Sequence, residues 1–293
     1  MKFRSLLFVP GDSGRKLKKS VTVSADALIL DLEDSVAPEN KVVARKLASD
    51  FLAEHAEGRQ KQIWVRINPI DQPAALKDLA AIMHSRPDGI VQPKTRSPED
   101  VLLLGQILED FEKELGFAMG STRILPVSTE TPAAIFSLGE YVNCDQRLAG
   151  LTWGAEDLGT ALGALANKDR DGNWTSPFQL ARNLCLFAAH AAGVAAIDTI
   201  YSDFRDPEGL RATCDEARRD GFSGKLAIHP DQVAVINSAF TPTGEEITQA
   251  RRIVDLFAAN PGEAALSLDG VMLDIPHLKQ ARNILAMAAD TEN

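Results

Sequence analysis

Positive charge is what this chain of 293 residues is short of. Its 31 Lys and Arg stand against 41 Asp and Glu, a formal net charge of −10. Nucleic-acid binders and proteins held on anionic membranes need a cationic face, so the balance argues against both classes. Cysteine is also scarce: Cys144, Cys185 and Cys214 are odd in number and show no Cys-x-x-Cys spacing. They suit neither a disulfide framework nor a zinc site, and the expectation is reduced thiols in a core. No stretch approaches the roughly 20 consecutive apolar residues of a membrane span. The segment Met1–Pro10 starts basic and turns apolar, as a signal peptide does. Its apolar run is short and ends in a Pro-Gly turn, so a first buried strand and a cytoplasmic protein are expected.

What is present is the composition of an ordinary globular protein, 45% hydrophobic and 25% charged. Short apolar runs alternate with longer segments of helical period. Strands are expected at 4–9, 27–31, 62–67, 89–92, 124–128, 148–153, 196–200 and 224–228. Helices are expected near 16–24, 39–54, 74–84, 97–115, 178–192 and 207–220. Ser97-Pro-Glu-Asp100 is a good start signal, with a Ser cap, Pro at the first position and acids in the first turn. Repeated strand–helix alternation implies a parallel sheet with right-handed crossovers, and eight units in about 240 residues fit a closed (β/α)8 TIM barrel. Residues 241–293 have no slot in a barrel spanning 1–240. They read as two helices joined by Asn260-Pro-Gly and the segment 267–276, an α-helical appendage able to cover a site.

A barrel places its chemistry where strands end. Those junctions carry Asp31, Glu33 and Asp34 after the second strand, Arg66 and Asn68 on the third, and Lys94 after the fourth. Glu130 follows the fifth, Glu156 and Asp157 the sixth, and His229 the eighth. Carboxylates from adjacent strands at one rim suit a hard divalent ion such as Mg2+, which keeps some positions for water or substrate. Glu130 and Asp157 suit helix capping equally well. Arg66 is awkward to bury without a partner, which Glu33 or Asp34 could supply, and it reads as an ion pair or an anion-binding group. Lys94 fits a solvated or ion-paired lysine better than the Schiff base of a class I aldolase. His55, His84, His190 and His277 have no ligand-like spacing and read as ordinary helix residues.

RSLLFVPG, ALILDLEDSVAPENKVVAR, VRIN, QPK, TETP, GAEDLG and GFSGKLAIHP follow one another here, and DGVMLDIPHLKQARNI comes later. In that order and spacing the chain resembles the citrate lyase β-subunit-like enzymes of the HpcH/HpaI aldolase superfamily, which also holds malyl-CoA and citramalyl-CoA lyases. The resemblance implies a Mg2+-dependent TIM-barrel lyase, with Mn2+ as an alternative ion. Such an enzyme cleaves or forms a carbon–carbon bond in a 3-hydroxy-carboxyacyl-CoA, giving an acyl-CoA and a 2-oxo acid. It further implies a homotrimer whose C-terminal lid reaches a neighbour's site.

By the same resemblance, Glu130 and Asp157 are the metal ligands and Arg66 holds substrate oxygens. Asp274 is the lid acid/base. Phe8, Arg15 and Lys19 lie near coenzyme A, with Lys41 and Arg45 as weaker candidates there, and Lys94, Ala155 and Glu156 join the substrate-binding set. Asp31, Glu33 and Asp34 support water, metal or Arg66. Phe8 and Arg15 stand where relatives can carry Tyr and Lys. Two other readings remain: a citrate lyase β subunit acting on an acyl-carrier-protein thioester, and an aldolase on free 2-oxo acids. The overall charge conceals one relevant asymmetry. Residues 1–24 hold Lys2, Arg4, Arg15, Lys16, Lys18 and Lys19 against Asp12 alone, a local +5 on a −15 background. That segment is the one expected to meet CoA phosphates.

Overall fold

A computed structural model describes residues 3–292 of the chain. Eight parallel strands form one sheet: β1 (Ser5–Pro10), β2 (Ala27–Asp31), β3 (Gln62–Arg66), β4 (Gly89–Gln92), β5 (Arg123–Pro126), β6 (Gly150–Thr152), β7 (Ala195–Asp198) and β8 (Gly224–Ala227). Their order is β5-β4-β3-β2-β1-β8-β7-β6. Parallel bridges Ile124–Leu148 and Val127–Thr152 join the two ends, so the sheet closes on itself. Seven helices follow strands around it: α1 (Gly14–Ser20), α2 (Lys41–Glu54), α3 (Pro73–Ile82), α4 (Pro98–Leu115), α5 (Pro132–Ser137), α6 (Ala155–Leu162) and α7 (Ser176–Ala191). Helices α8 (Pro207–Asp220) and α9 (Pro230–Ala239) complete the ring. This is the expected (β/α)8 barrel. The first helix is shorter than expected, ending at Ser20, whose hydroxyl donates to the Leu17 carbonyl.

Alternation along the strands divides two cores. Leu6, Ile29, Trp64, Val91, Leu125, Ile197 and Leu226 fill the barrel, while Leu7, Leu28, Leu30, Val65 and Ile90 pack outward against the helices. Trp64 is fully buried, and a Cβ on its register partner Gly89 would lie 2.3 Å from the indole. Only glycine leaves that space. Phe3 meets the same indole edge-on at 5.7 Å. Burying an indole this fully contributes about 4–6 kcal/mol and fills the barrel floor. Two residues further along each strand, the same inward face carries Asp31 and Arg66, which therefore emerge at the C-terminal mouth.

The C-terminal appendage differs from the expectation of two helices and a linker. Helix α10 (Gly244–Ala259) is followed by an antiparallel hairpin, β9 (Ala265–Leu268) and β10 (Val271–Asp274), before α11 (Ile275–Glu292). The hairpin turns through Asp269 and Gly270, both at positive φ (52° and 81°). Asp-Gly at the centre of a two-residue hairpin loop supplies that backbone at low cost. Phe257, Leu273 and Leu278 join the hairpin to both helices in a small separate core. Val271 and Met272, on the hairpin, are exposed. Among the described residues no helix is long and apolar enough to cross a membrane.

Candidate active site

The mouth is built around Arg66. Its Nε and Nη2 donate to Asp31 Oδ1 and Oδ2 at 2.8 and 2.6 Å, and its Nη1 lies 3.1 Å from Glu33 Oε2. The guanidinium also covers the Phe8 ring, 4.7 Å from its centroid. Asp31 accepts two further hydrogen bonds, from the N–H groups of Glu33 and Ser35. Burial alone would raise the Asp31 pKa, but Arg66 and these donors outweigh it and hold the carboxyl below its usual range. Asp31 is thus fully occupied as an anchor and has no capacity left for substrate. Glu33 goes the other way, raised by burial against the pull of Arg66 and Lys94.

Lys94 ties this cluster to the acids of strands β5 and β6. Its ammonium bonds Glu33 and Asp34 and lies 3.7 Å from Asp157 Oδ1. Its backbone, at the left-handed φ of 51°, donates N–H to Glu130 Oε2 at 2.5 Å. A non-glycine residue in that region carries strain, retained where the surroundings fix it. Burial disfavours the charged amine, yet its bonds to Glu33 and Asp34 dominate and hold it protonated well above the ordinary lysine value. A protonated, ion-paired amine is no Schiff-base nucleophile, so Lys94 takes the ion-paired role.

Glu130 is 6% exposed, and its carboxylate is not a helix cap, since Thr131 caps α5. A Cβ on Gly154 would come within 2.7 Å of its Cγ, so the close approach of the β6 end depends on glycine there. Burial, then Asp157 and Glu33, push Glu130 up to about 8 against the Lys94 N–H and Arg66. Asp157 sits in the first turn of α6, capped by Gly154 without a side-chain bond. Glu156 turns its carboxylate outward to Asn167, which leaves only its backbone N–H, beside that of Ala155, at the helix start.

These residues fit a divalent ion held by two carboxylates. Arg66 is committed to Asp31 and Glu33, and Lys94 to Glu33 and Asp34, while Glu130 and Asp157 lie close enough to repel. Among the described residues Glu130 Oε1 has no hydrogen-bond partner, and no three acidic, His or Cys side chains converge as an all-protein cage. Mg2+ needs no cage, since it keeps waters or substrate oxygens beside one or two carboxylates. One consequence is measurable in the metal-free chain. The folded-state pKa of Glu130 lies above its ordinary 4.5, so the folded chain binds the extra proton. The stability Glu130 contributes is therefore full below about pH 4.5 and is lost as pH rises to about 8. Metal-free Glu130→Gln is expected to melt about 5 °C or more above wild type at pH 8.5, with the curves converging toward pH 5. Mg2+ should raise the wild-type Tm at pH 8.5 but not that of the variant. Parallel Tm–pH curves would refute the assignment.

A cavity of about 490 Å3 opens at the ends of β1 and β8, beside the Phe8 ring that Arg66 covers. It is lined by Phe8, Arg15, Lys16, Lys19, Ile228 and His229, among others. The basic N-terminal segment thus concentrates three cations on one recess next to the Arg66 platform. Lys16, of the basic segment, and His229, at the eighth strand end, thus join Phe8, Arg15 and Lys19 there. Lys41 and Arg45 bond elsewhere: Lys41 donates to the carbonyls of Leu32 and Glu33 and to Asn68, and Arg45 pairs with Asp78 at 2.7 Å. Both brace the β2–α2 region.

Asp274, at the end of β10, is not brought to Glu130 or Asp157 within this chain. Its carboxylate instead bonds His277 at 2.5 Å. His277, read from sequence as an ordinary helix residue, is the partner that reading missed. Asp and His three apart at a helix start was the available signal.

The barrel mouth thus carries an acidic pair beside a buried arginine, next to a basic recess. The model of the HpcH/HpaI aldolase/citrate lyase family matches residues 4–230, and the chain belongs to that family. It is 34% identical over 287 residues to the citrate lyase subunit beta of Haemophilus influenzae, covering 97% of this chain and 96% of that one. It is also 34% identical over 288 residues to a (3S)-malyl-CoA thioesterase of Cereibacter sphaeroides, covering 98% and 94%. Its identity with the mitochondrial citramalyl-CoA lyase of Rattus norvegicus is 34% over 301 residues, covering 97% and 86%. Protein CitE from Mycobacterium tuberculosis, solved in complex with magnesium, acetoacetate and coenzyme A, superposes with a TM-score of 0.81. It is 29% identical, and 98% of each chain is covered.

Proposed function

We propose that this chain is a Mg2+-dependent acyl-CoA lyase. In this reading it cleaves or forms a 3-hydroxy-carboxyacyl-CoA such as malyl-, citramalyl- or citryl-CoA, releasing an acyl-CoA and a 2-oxo acid. The observation that carries this is that Arg66, which acts on Glu130 together with Asp157, covers the Phe8 ring lining the recess with Arg15, Lys16 and Lys19. Complexes of a family member with magnesium, a small oxo acid and coenzyme A support it.

Held by Glu130 and Asp157, Mg2+ would supply positive charge to the keto and carboxylate oxygens of the oxo acid. The chain's own residues do the remaining work. In the condensing direction Asp274, reaching from a neighbouring subunit's lid, removes a proton from the carbon next to the thioester. Arg66, already fixed by Asp31 and Phe8, stabilises the enolate oxygen without reorganising, which is where preorganised charge is most effective. The N–H groups of Ala155 and Glu156, at a helix start, hold the oxo-acid carboxylate. The enolate carbon then attacks the keto carbon, whose oxygen takes a proton from a water molecule to become the 3-hydroxyl. In cleavage the hydroxyl gives that proton back to water, the carbon–carbon bond breaks, and Asp274 returns its proton to the enolate carbon. Closure of 241–293 keeps water from quenching the enolate.

The N-terminal cations recognise the coenzyme A moiety, which stays on the acyl group throughout. Arg15→Glu with Lys19→Glu is expected to raise KM for the CoA thioester tenfold or more, about 1.4 kcal/mol or above, with kcat little changed. An unaltered KM would remove coenzyme A from that recess. Similarity to a citrate lyase subunit beta also favours a second reading, action on an acyl-carrier-protein thioester. Turnover of CoA thioesters by the purified chain alone excludes a strict carrier requirement, and equal turnover of the free acid would mark a CoA-independent aldolase.

A further inference from the structure

The hairpin ends on Asp274, and α11 begins at the next residue, so His277 falls on the first turn of the helix directly over the carboxylate. Its Nδ1 lies 2.5 Å from Asp274 Oδ1 and 3.2 Å from the Asp274 backbone N. Protonated, Nδ1 donates to the carboxylate; unprotonated, it accepts either the backbone N–H or the proton of a neutral Asp274. Both side chains stay about two-fifths exposed, so the pair sits at a surface able to face a second molecule.

We propose that His277 is the positioning residue of the lid: its ring holds the Asp274 carboxylate in one orientation and favours its ionised, proton-accepting form. This rests on Asp274 being the acid/base of the proposed reaction. The carboxyl's pKa is lowered first of all by the hydrogen bond from His277, against the opposing effect of burial. Among the described residues, the leading side-chain effects on it all come from His277. Around the ring, α10 contributes Glu245 and Glu246 to the same groove, and Glu246 is bound by Arg218 of α8 at 2.9 Å. The turn acid Asp269 is held by Arg252 at 2.9 Å, and α11 adds Lys279 and Arg282. None of these supplies the hydrogen bond that Nδ1 makes.

The test is the pH profile of kcat/KM for condensation at saturating Mg2+, measured for wild type, His277→Ala, His277→Asn and Asp274→Ala. His277→Ala should move the acid limb upward and, because the carboxylate is no longer held in one orientation, lower the rate at neutral pH about tenfold. His277→Asn, whose amide N–H can occupy the place of Nδ1, should restore the limb. Mg2+ affinity should be the same in all four proteins, and circular dichroism checks that each is folded. An unmoved acid limb in His277→Ala, with Asp274→Ala inactive, overturns the proposal while leaving the acid/base role intact. Full activity in Asp274→Ala overturns the role itself. If His277→Ala does not fold, an unshifted limb in His277→Phe overturns the proposal in its place.

Discussion

Arg66→Met is expected to lower kcat/KM for the CoA ester by about 10²–10³-fold, or about 3–4 kcal/mol, mostly in kcat. The arginine is immobilised before substrate arrives, by two bonds to Asp31, the approach to Glu33 and the face of Phe8. In the proposed reaction its charge is therefore available where the enolate oxygen develops, at no reorganisation cost. Removing it also strips a buried carboxylate of its partner, and breaking such a pair costs about 3–5 kcal/mol of stability. The two effects separate in a second variant. Arg66→Met with Asp31→Asn should recover much of the lost Tm and none of the activity. Arg66→Lys keeps the charge but not the planar fork that spans both Asp31 oxygens, so it should fall between. A kcat/KM within threefold of wild type in a folded Arg66→Met protein sinks the role assigned to this residue.

Asp274→Ala should reduce turnover about 10³-fold while leaving the fold and Mg2+ affinity unchanged. The carboxylate is partly exposed and bonds only His277 among the described side chains, so its loss disturbs no core. Its position away from Glu130 and Asp157 in the same chain makes a sharper prediction. If it serves a neighbouring subunit, Glu130→Gln and Asp274→Ala, each inactive alone, should complement when co-expressed. In randomly mixed cyclic trimers one site in four pairs an intact barrel with an intact lid, so about a quarter of wild-type activity should return. No recovery in mixed oligomers would place the acid/base elsewhere.

Much of the architecture was readable because the periods are clean. Strands 27–31 and 89–92 and helix 207–220 occur at the expected bounds, and the polar residues at strand ends gather at one mouth. What sequence did not disclose depends on local backbone or on long side chains. The β9–β10 hairpin has two four-residue strands, too short to show alternation, and only Asp269-Gly270 announced it. Lys41 and Arg45 lie one helix away from the basic recess, but their flexible stems turn inward to carbonyls and to Asp78. Lys94 was ambiguous until its left-handed backbone set its N–H and its ammonium against different carboxylates. The choice between capping and metal binding at Glu130 was equally open. The cap belongs to Thr131, which frees the carboxylate for another partner.

The central claim is that the acid pair, Arg66 and the basic recess together make a metal-dependent carbon–carbon lyase for CoA thioesters. The most direct measurement is a mass-spectrometric screen of the purified chain. Acetyl- and propionyl-CoA would each be paired with glyoxylate, pyruvate and oxaloacetate, with Mg2+ and with EDTA. The account predicts a 3-hydroxy-carboxyacyl-CoA adduct, or its hydrolysed acid with free CoA, from at least one pair with Mg2+ and from none with EDTA. Folded, Mg2+-loaded protein that forms no adduct from any pair, or forms it equally well in EDTA, would contradict it.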